Sequence, residues 1–439
     1  MARWTNWSGG VATDLQGVFS PGDEISLRHL LATEEGPFRV AGAGHSFTPI
    51  CETSGTLLTL DRLSGLVEAD AATGRARVKA GTSIRHLGGL LHAAGLGLVN
   101  QGDIDRQTIA GAVGTGTHGT GAELGSLSAA VHSFRLVTAD GETLDCSEET
   151  HGDLFQAGRV SMGTLGVMSE IELQCRPRYA LEEQGGRMAV ADLFASLTQL
   201  ISSNRHFEFF WFPFAEEVLV KTLNEVAATP KARRRPPDGT VSEGDKAFRR
   251  LCEISRVAPF LREFFQRRMT MQGGDRYTGH GEDSESGTGR VRWSHDAFPS
   301  DRNVRFNEME YAVPAAMGAD CVQELAAYMR QDGGNFLFPI EYRTVAADDI
   351  WLSPFYQRDS VTISVHQYHK QSYGKLFAGA EAIFRRYGGR PHWGKLHTLT
   401  ARDFEGLYPR WSDFVSLRSQ IDPKGKLLSP YFREIFGVV

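Results

Sequence analysis

The sequence predicts an α+β protein in two parts, the second built on a mainly antiparallel sheet covered by helices. Three observations carry this expectation. The chain has 439 residues, which at about 150 residues per domain gives two or three domains and a large core. From Phe38 to about Cys175, short β-type runs alternate with Gly-marked turns. After the turn at Pro177, amphipathic helical stretches alternate with strands. Hydrophobic residues at 41% and charged residues at 23% match soluble globular proteins and exclude disorder.

In chain order, the first strands are FRVAGAG, TLLTL, the pair LVEAD and RARVKAG, and SFRLVTADGETLDC. One helix stands clear among them. Ser83 suits an N-cap, Ile84, Leu87, Leu90 and Leu91 recur at helical spacing, and Gly95 sits where a glycine ends a helix. The second part opens with a helix around Leu193, Leu197, Leu200 and Ile201, followed by the aromatic strand FEFFWFPF. Helices near Ala316 to Met329 and Tyr373 to Tyr387 then alternate with strands around EMEYAV, FLFPIEYRTVA, VTISVHQY and HWGKLHTL. Two polar stretches, 230–239 and 272–289, read as loops. In IDPKGKLLSPYF, Asp422, Pro423 and Gly425 mark a turn before the last apolar run.

Composition narrows the partners. A formal charge of −6 disfavours a phosphate polymer, so no nucleic acid is expected, and Arg233, Arg234 and Arg235 read as a solvated loop. The five cysteines lack any C-x-x-C pair, which fits a reducing compartment and gives no zinc motif. The start MARWTNWSGG has no apolar leader core, and no stretch offers about 18 uninterrupted apolar residues. A cytoplasmic protein without a membrane partner is expected. Glycine is abundant, 48 of 439 residues or about 11% against a usual 7%, so backbone approaches something closely in several places.

Two glycine-rich motifs carry the chemistry. In VAGAGHSF, residues 40–47, a β-type run enters Gly42, Ala43 and Gly44, then His45 and Ser46. Small residues there let backbone N–H groups converge on an anion, although a tight strand-ending turn with an incidental histidine gives the same pattern. In AGAVGTGTHGTG, residues 110–121, Gly114, Gly116 and Gly119 match G-x-G-x-x-G, with Asp140 about 20 residues on. A nicotinamide-binding reading fails physically: no helical period follows the glycines, and Asp140-Gly141 reads as a hairpin turn. Two such loops in one strand-rich region suit a long cofactor lying against backbone.

GAGHS, then AGAVGTGTHGTG about 65 residues later, then MGTLGVMSEIEL, resemble the FAD-binding domain of the vanillyl-alcohol-oxidase superfamily. The later FNEMEYAVP, IEYRT, SVHQYH and HWGKLH resemble its aldonolactone oxidase and alditol oxidase branch, which includes L-gulono-1,4-lactone and D-arabinono-1,4-lactone oxidases. The resemblance implies a two-part FAD-binding domain, residues 1–176 completed by 393–439, and a substrate domain, 177–392. It also implies covalent FAD on His45. Ala41, Gly42, Ala43, Gly44 and Ser46 would bind the pyrophosphate, with Gly102, Asp103, Gly111, Thr115, Gly116, His118 and Gly119 along the flavin. Gly163, Gly166 and Val167 would lie by the adenine half. NQGDIDRQT holds no cysteine, so a single attachment is expected.

On a strand, Glu341 and Arg343 project to one side, as do Lys395 and His397 if HWGKLH is extended. Such acid–base pairs are commonly surface salt bridges; the resemblance instead implies an active-site Glu-x-Arg pair and a HWGK lysine. Arg343 would hold or polarise a substrate oxygen, and Lys395 would stabilise negative charge. His366 and His369, three apart, face opposite ways on a strand, so no metal site is expected. His366 falls near an active-site threonine of alditol oxidases, while Asp103 and Glu308 replace their serine and glutamine. These departures point toward a sugar lactone. The implied reaction is hydride transfer from a carbinol carbon to flavin, with Glu341, Asp103 or His366 as the base and O₂ reduced to hydrogen peroxide. Gly102 stands where related enzymes can carry a bulkier residue that restricts oxygen.

Overall fold

The computed structural model describes residues 2–231, 240–277, 289–300 and 303–438. The expected loops fall largely outside these, Arg233, Arg234 and Arg235 included. In the first part, β1 (Gly17–Phe19), β2 (Phe38–Val40) and β3 (Thr56–Leu58) form a parallel sheet with β3 central. Helix α1 (Glu24–Thr33) lies in the crossover between the parallel strands β1 and β2, which flank β3. A second, antiparallel sheet takes β4 (Leu66–Asp70), β5 (Arg75–Lys79), β6 (Val131–Val137), β7 (Thr143–Ser147) and β8 (Val167–Gln174) in the order β7-β6-β8-β5-β4.

Local signals in this part act as expected. Helix α2 (Ile84–Ala93) starts where the Ser83 side chain accepts a hydrogen bond from the His86 amide, and Gly95 follows it at φ 81°. The hairpin β6–β7 turns at Asp140-Gly141, with Gly141 at φ 84°. The AGAVG segment is an exception to the loop reading. It forms the short helix α3 (Ile109–Gly114), capped by the Thr108 side chain. Helix α3 ends at Gly114, the glycine from which a dinucleotide-binding helix would have to begin.

The second part centres on an eight-stranded sheet of β9 (Ala180–Ala189), β10 (His206–Trp211), β11 (Glu217–Val226), β12 (Arg290–Trp293), β13 (Phe306–Pro314), β14 (Ile340–Val345), β15 (Ser360–Tyr368) and β16 (Arg390–Pro391). Its order is β12-β9-β11-β10-β14-β15-β13-β16, with antiparallel neighbours throughout. Helices α4 (Val190–Ser203), α5 (Glu243–Val257), α6 (Arg262–Met271), α7 (Gly318–Gln331) and α8 (Gly374–Arg386) accompany it. The register aligns Val220, Phe209, Tyr342, Ile363 and Tyr311 in one row across five strands, all buried. Phe209 stacks on Tyr342 at 4.6 Å, and Tyr311 stacks on Phe384 of α8 at 5.1 Å. Each such side chain contributes roughly 1.5–3 kcal/mol by leaving water, so this face is committed to the helices. Alternation turns every intervening residue the other way.

The FLFPIEYRTVA and HWGKLHTL expectations need correction: the strands are only Ile340–Val345 and Arg390–Pro391. After Pro391 the chain leaves the sheet and is anchored by Trp393, fully buried, stacked on Phe404 at 4.8 Å and donating its indole N–H to Leu352 O at 2.7 Å. The tail then forms α9 (Ala401–Leu407), α10 (Trp411–Ile421) and α11 (Pro430–Phe436). Its expected turn is built by Asp422, whose carboxylate accepts from the amides of Lys426 and Leu427, both at 2.9 Å. This returns the tail to β2, where Phe38 N donates to Lys426 O at 2.7 Å. Arg39 locks the junction. Buried beneath Phe432, it donates to Ile50 O at 2.7 Å, to Met162 O at 2.6 Å and to Leu427 O.

Candidate active site

Two cavities meet at His45, Ser46, Gln107 and Thr115. The first is walled by backbone. Ala41, Gly42, Ala43, Gly44, His45 and Ser46 line it, with Gly111 and Thr115 opposite and Gly163, Gly166 and Val167 at its side. No described residue accepts a hydrogen bond from the five successive amides of Gly42 to Ser46. Unpaired amides converging on one space suit an anion with several acceptor oxygens. A Cβ on Gly42 would lie 2.4 Å from Thr108 Oγ1, so the close approach of strand end and α3 permits only glycine. Gly44, at φ +66°, makes the reversal that presents these amides. The donor set and shape fit the pyrophosphate of a dinucleotide cofactor.

His45 stands at the joint. Its Nδ1–H donates to Ala43 O at 3.2 Å, and its ring stacks on Trp7 at 5.7 Å. Burial pushes its pKa down to about 4, with Lys395 and Arg106 pushing the same way. The ring is therefore neutral and keeps a lone pair at neutral pH.

The second cavity is formed by the polar face of the eight-stranded sheet. The register sets Lys221 opposite Glu208 and Glu208 opposite Arg343, Glu341 opposite Ser364, and Glu308 opposite His366. Arg343 donates through Nε to Glu208 at 2.8 Å and through Nη2 to Asp103 at 2.9 Å and to Glu341. Its Nη1 has no protein acceptor among the described residues. Lys221 bridges Glu208 at 2.8 Å and Asp103 at 3.9 Å from behind. His366 Nε2 lies 3.4 Å from Glu308 and 4.0 Å from Glu341, and its buried Nδ1 has no partner among the described residues. Trp7, Phe47 and Phe306 make the apolar wall.

Lys395 arrives from the loop after Trp393. That loop lies along β13 and the GAGHS turn, because Leu396 N donates to Glu308 O at 2.9 Å and Phe47 N to Gly394 O at 2.7 Å. Lys395 Nζ pairs with Glu308 and lies 5.1 Å from the Phe47 ring centroid. Burial works to raise the pKa of Glu308, but Lys395 and His366 outweigh it and hold the carboxyl below its usual range. For Glu341 burial wins: its pKa is raised even though Arg343 and His366 oppose the shift, and Glu208 and Asp103 add to it. Two neighbouring carboxyls are thus driven apart, one toward permanent charge and one toward carrying a proton.

Metal-like trios exist here. Ligand atoms of Glu308, Glu341 and His366, and of Asp103, Glu208 and Glu341, lie within 4.8 Å of one another. Lys395, Arg343 and Lys221 already supply the positive charge on those carboxylates, so the donor set suits ion pairs better than a metal.

Of the expected site residues, Asp103, Gly102, His118, Glu308, Glu341, Arg343, His366 and Lys395 line the second cavity. His397 does not. It sits beyond the strand end, so the alternation rule does not apply, and its Nε2 meets Tyr431 Oη at 2.7 Å outside both cavities. Gly116 and Gly119 also line neither cavity. Gly119 is small because a Cβ would lie 2.4 Å from Gln101 O. Gly102 has a packing reason of its own, since its Cβ would meet His118 O at 2.8 Å. Glu208, Lys221 and Glu310 were not anticipated. Glu310 holds His118 Nε2 at 3.0 Å, and its place two residues after Glu308 on one strand face was a readable signal.

Comparison with known proteins gives the family. Residues 171–435 match the family model for D-arabinono-1,4-lactone oxidase, and residues 16–147 match an FAD-binding domain. The chain is 36% identical to an L-gulono-1,4-lactone dehydrogenase of Mycobacterium tuberculosis (strain ATCC 25618 / H37Rv) over 99% of both chains. It is 30% identical to an L-gulonolactone oxidase of Scyliorhinus torazame over 99% of this chain and 98% of that one. An alditol oxidase of Streptomyces sp. (strain IKD472 / FERM P-14339) is 28% identical over 98% of both. A solvent-stable cholesterol oxidase shares the fold, with TM-score 0.81 at 17% identity over 99% of this chain and 97% of that one. The protein is an FAD-binding oxidoreductase, and its chain belongs to the D-arabinono-1,4-lactone oxidase family.

Proposed function

We propose that the protein oxidises an aldono-1,4-lactone of the L-gulono or D-arabinono type, with FAD attached through His45 and O₂ as final acceptor. The observation that carries this reading is Arg343, clamped by three carboxylates with Nη1 left over, facing Lys395 across one cavity. A spare guanidinium N–H pair suits the carbonyl or hydroxyl oxygens of a lactone. Residues 1–176 with the tail 393–439 would hold the cofactor, and 177–392 the substrate. Gly42 to Ser46 would cradle the pyrophosphate. When bound, FAD supplies a two-electron acceptor for the carbinol hydride and passes the pair to O₂, which leaves as hydrogen peroxide.

The chain's own groups do the rest. Arg343 orients the substrate oxygen, and Trp7, Phe47 and Phe306 exclude water from the carbinol carbon. Glu341, whose pKa is raised by burial, takes the hydroxyl proton. Lys395 places fixed positive charge where negative charge develops. Neutral His45 provides the nucleophilic nitrogen for the flavin link.

The test is anaerobic bleaching of the flavin by L-gulono-, L-galactono- and D-arabinono-1,4-lactone, xylitol and sorbitol. Bleaching by lactones ahead of polyols is expected; bleaching by polyols alone would sink the reading. Acid precipitation should release FAD from His45→Ala and not from the parent, and equal release from both removes the covalent link. The 36% identity to a named dehydrogenase favours a second reading, with a non-oxygen acceptor. Near-stoichiometric peroxide per lactone in air supports the oxidase; turnover only with an added dye or quinone supports the dehydrogenase.

A further inference from the structure

His118 and Glu310 line the second cavity and take no part in the substrate binding and proton transfer assigned above. His118 comes from the second glycine-rich motif and Glu310 from β13, so the pair joins the cofactor part to the substrate part. Both are buried, 6% and 4% exposed. Four histidines line this cavity, His45, His118, His366 and His392, and their hydrogen bonds set them apart. Burial pushes His45 and His392 down to about 4, so both rings are neutral, and His392 Nδ1 accepts from the Gly394 amide at 3.0 Å. His366 Nδ1 has no partner among the described residues. Of the four, His118 alone meets an acceptor at each nitrogen: Nδ1 lies 2.8 Å from Gly119 O, and Nε2 lies 3.0 Å from Glu310 Oε1.

A backbone carbonyl only accepts, so His118 Nδ1 carries a hydrogen. A further proton must then lie between Nε2 and Oε1, and its place follows from the surroundings. Imidazole is the stronger base of the two by about two pH units in water. Burial works to raise the Glu310 pKa, but His118, Lys395 and His392 outweigh it and hold the carboxyl well below its usual range. Charge balance requires the same arrangement. The β13 face presents two buried carboxylates, Glu308 and Glu310, and the nearby Lys395 is already bound to Glu308. Arg343 and Lys221 are engaged by Glu208, Asp103 and Glu341. A buried carboxylate is costly without a counter-ion, and for Glu310 an imidazolium at 3.0 Å supplies it. The other groups facing the pair are neutral or engaged. Phe355 stands edge-on to the His118 ring at 5.3 Å, and the neutral His392 ring is 6.1 Å away. Asp103, on the segment whose Gly102 packs on His118 O, is turned to Arg343 at 2.9 Å.

We propose that His118 is a permanently protonated imidazolium, held by Glu310 and Gly119 O, and that its charge favours the reduced state of the bound flavin. Accepting a hydride gives a neutral flavin one extra negative charge. His118 lies three residues from Thr115, where the two cavities meet. A desolvated cation fixed there lowers the cost of that charge without having to move. The proposal rests on FAD binding and is independent of which lactone is oxidised and of what finally takes the electrons.

The experiment compares the full holoenzyme with Glu310→Gln and His118→Gln. Glutamine at 310 keeps the hydrogen bond, because its amide donates to a neutral Nε2, and takes away the counter-charge of the second ring proton. Nitrogen NMR of histidine-labelled protein, with the His118 signals identified by their loss in His118→Gln, counts the ring protons. Equilibration with redox dyes gives the flavin midpoint potential between about pH 5.5 and 9. In the parent, both His118 nitrogens should stay protonated over this interval. In Glu310→Gln the ring should lose its second proton as pH rises, and the potential should fall more steeply with pH than in the parent. His118→Gln leaves Glu310 without its counter-ion and should shift the reduction equilibrium at least about tenfold toward oxidised flavin, about 30 mV. A single proton on the parent ring at neutral pH, or a Glu310→Gln potential that runs parallel to the parent's, would overturn the proposal. So would a His118→Gln reduction equilibrium within about threefold of the parent's. If His118→Gln does not retain flavin, the parent spectrum and the Glu310→Gln profile decide between a charged pair and a merely structural one, which would leave that profile parallel.

Discussion

Replacing Arg343 by lysine separates the charge of this side chain from its shape. The guanidinium does three things at once: Nε holds Glu208 at 2.8 Å, Nη2 holds Asp103 at 2.9 Å and also Glu341, and Nη1 is left for substrate. A lysine keeps the positive charge but offers one nitrogen, which the carboxylates will claim. The substrate then loses a charge-assisted hydrogen bond of about 1.5–3 kcal/mol, which corresponds to roughly 10–150-fold in kcat/KM. The fold should suffer far less than in Arg343→Met, where buried carboxylates lose their main counter-ion at about 3–5 kcal/mol. Steady-state kinetics with an aldonolactone, beside thermal unfolding of both variants, reads the two effects separately. An Arg343→Lys protein with intact flavin and kcat/KM within about threefold of the parent would falsify the assignment of Nη1 to substrate.

Three further outcomes are expected. Lys221 lines neither cavity but neutralises Glu208 and Asp103, so Lys221→Met should raise the Glu341 pKa further and move the acid limb of the kcat profile up by about half to one pH unit; a lower kcat with an unmoved profile would assign Lys221 a purely structural role. Gly42→Ala brings a Cβ to 2.4 Å from Thr108 Oγ1, an overpacking of about 1–3 kcal/mol that should cut flavin loading severalfold, and full loading by absorbance would refute the cradle. Burial lowers the pKa of His45, His392 and His397 to about 4 and of His206 to about 3. The unfolded chain therefore binds more protons below about pH 6.5, so stability is complete above that pH and lost as pH falls toward 4, by about 2 kcal/mol at pH 5 for each of the buried His206 and His392; a Tm flat between pH 7 and 5 would contradict this.

Much of the fold was legible because its signals are local. Ser83 and Gly95 bound α2 through capping and a left-handed terminus, and Asp140-Gly141 turns a hairpin, all within a few residues of chain. HWGKLH failed for a reason no local pattern carries. Its extended look ends at Pro391 because Trp393 finds Phe404 and Leu352 elsewhere in the fold, and that anchor swings Lys395 into the cleft and His397 out of it.

The site shows the same division one level up. Period-two alternation tells which residues of a strand share a face, so Glu341 with Arg343 could be read from sequence, and Glu308 with Glu310 should have been. Which strands lie side by side is set by register, and register is a property of the sheet. Lys221, Glu208 and Arg343 come from three strands, and only their order β11-β10-β14 sets them in line. Yet Glu208 did leave a trace. A glutamate inside FEFFWF, flanked by Phe207 and Phe209, which are both buried, carries a desolvation cost that nothing on its own strand repays. An isolated acid in an aromatic strand therefore requires a cation from a neighbouring strand, and here that requirement is met twice, by Lys221 behind and by Arg343 at the cleft.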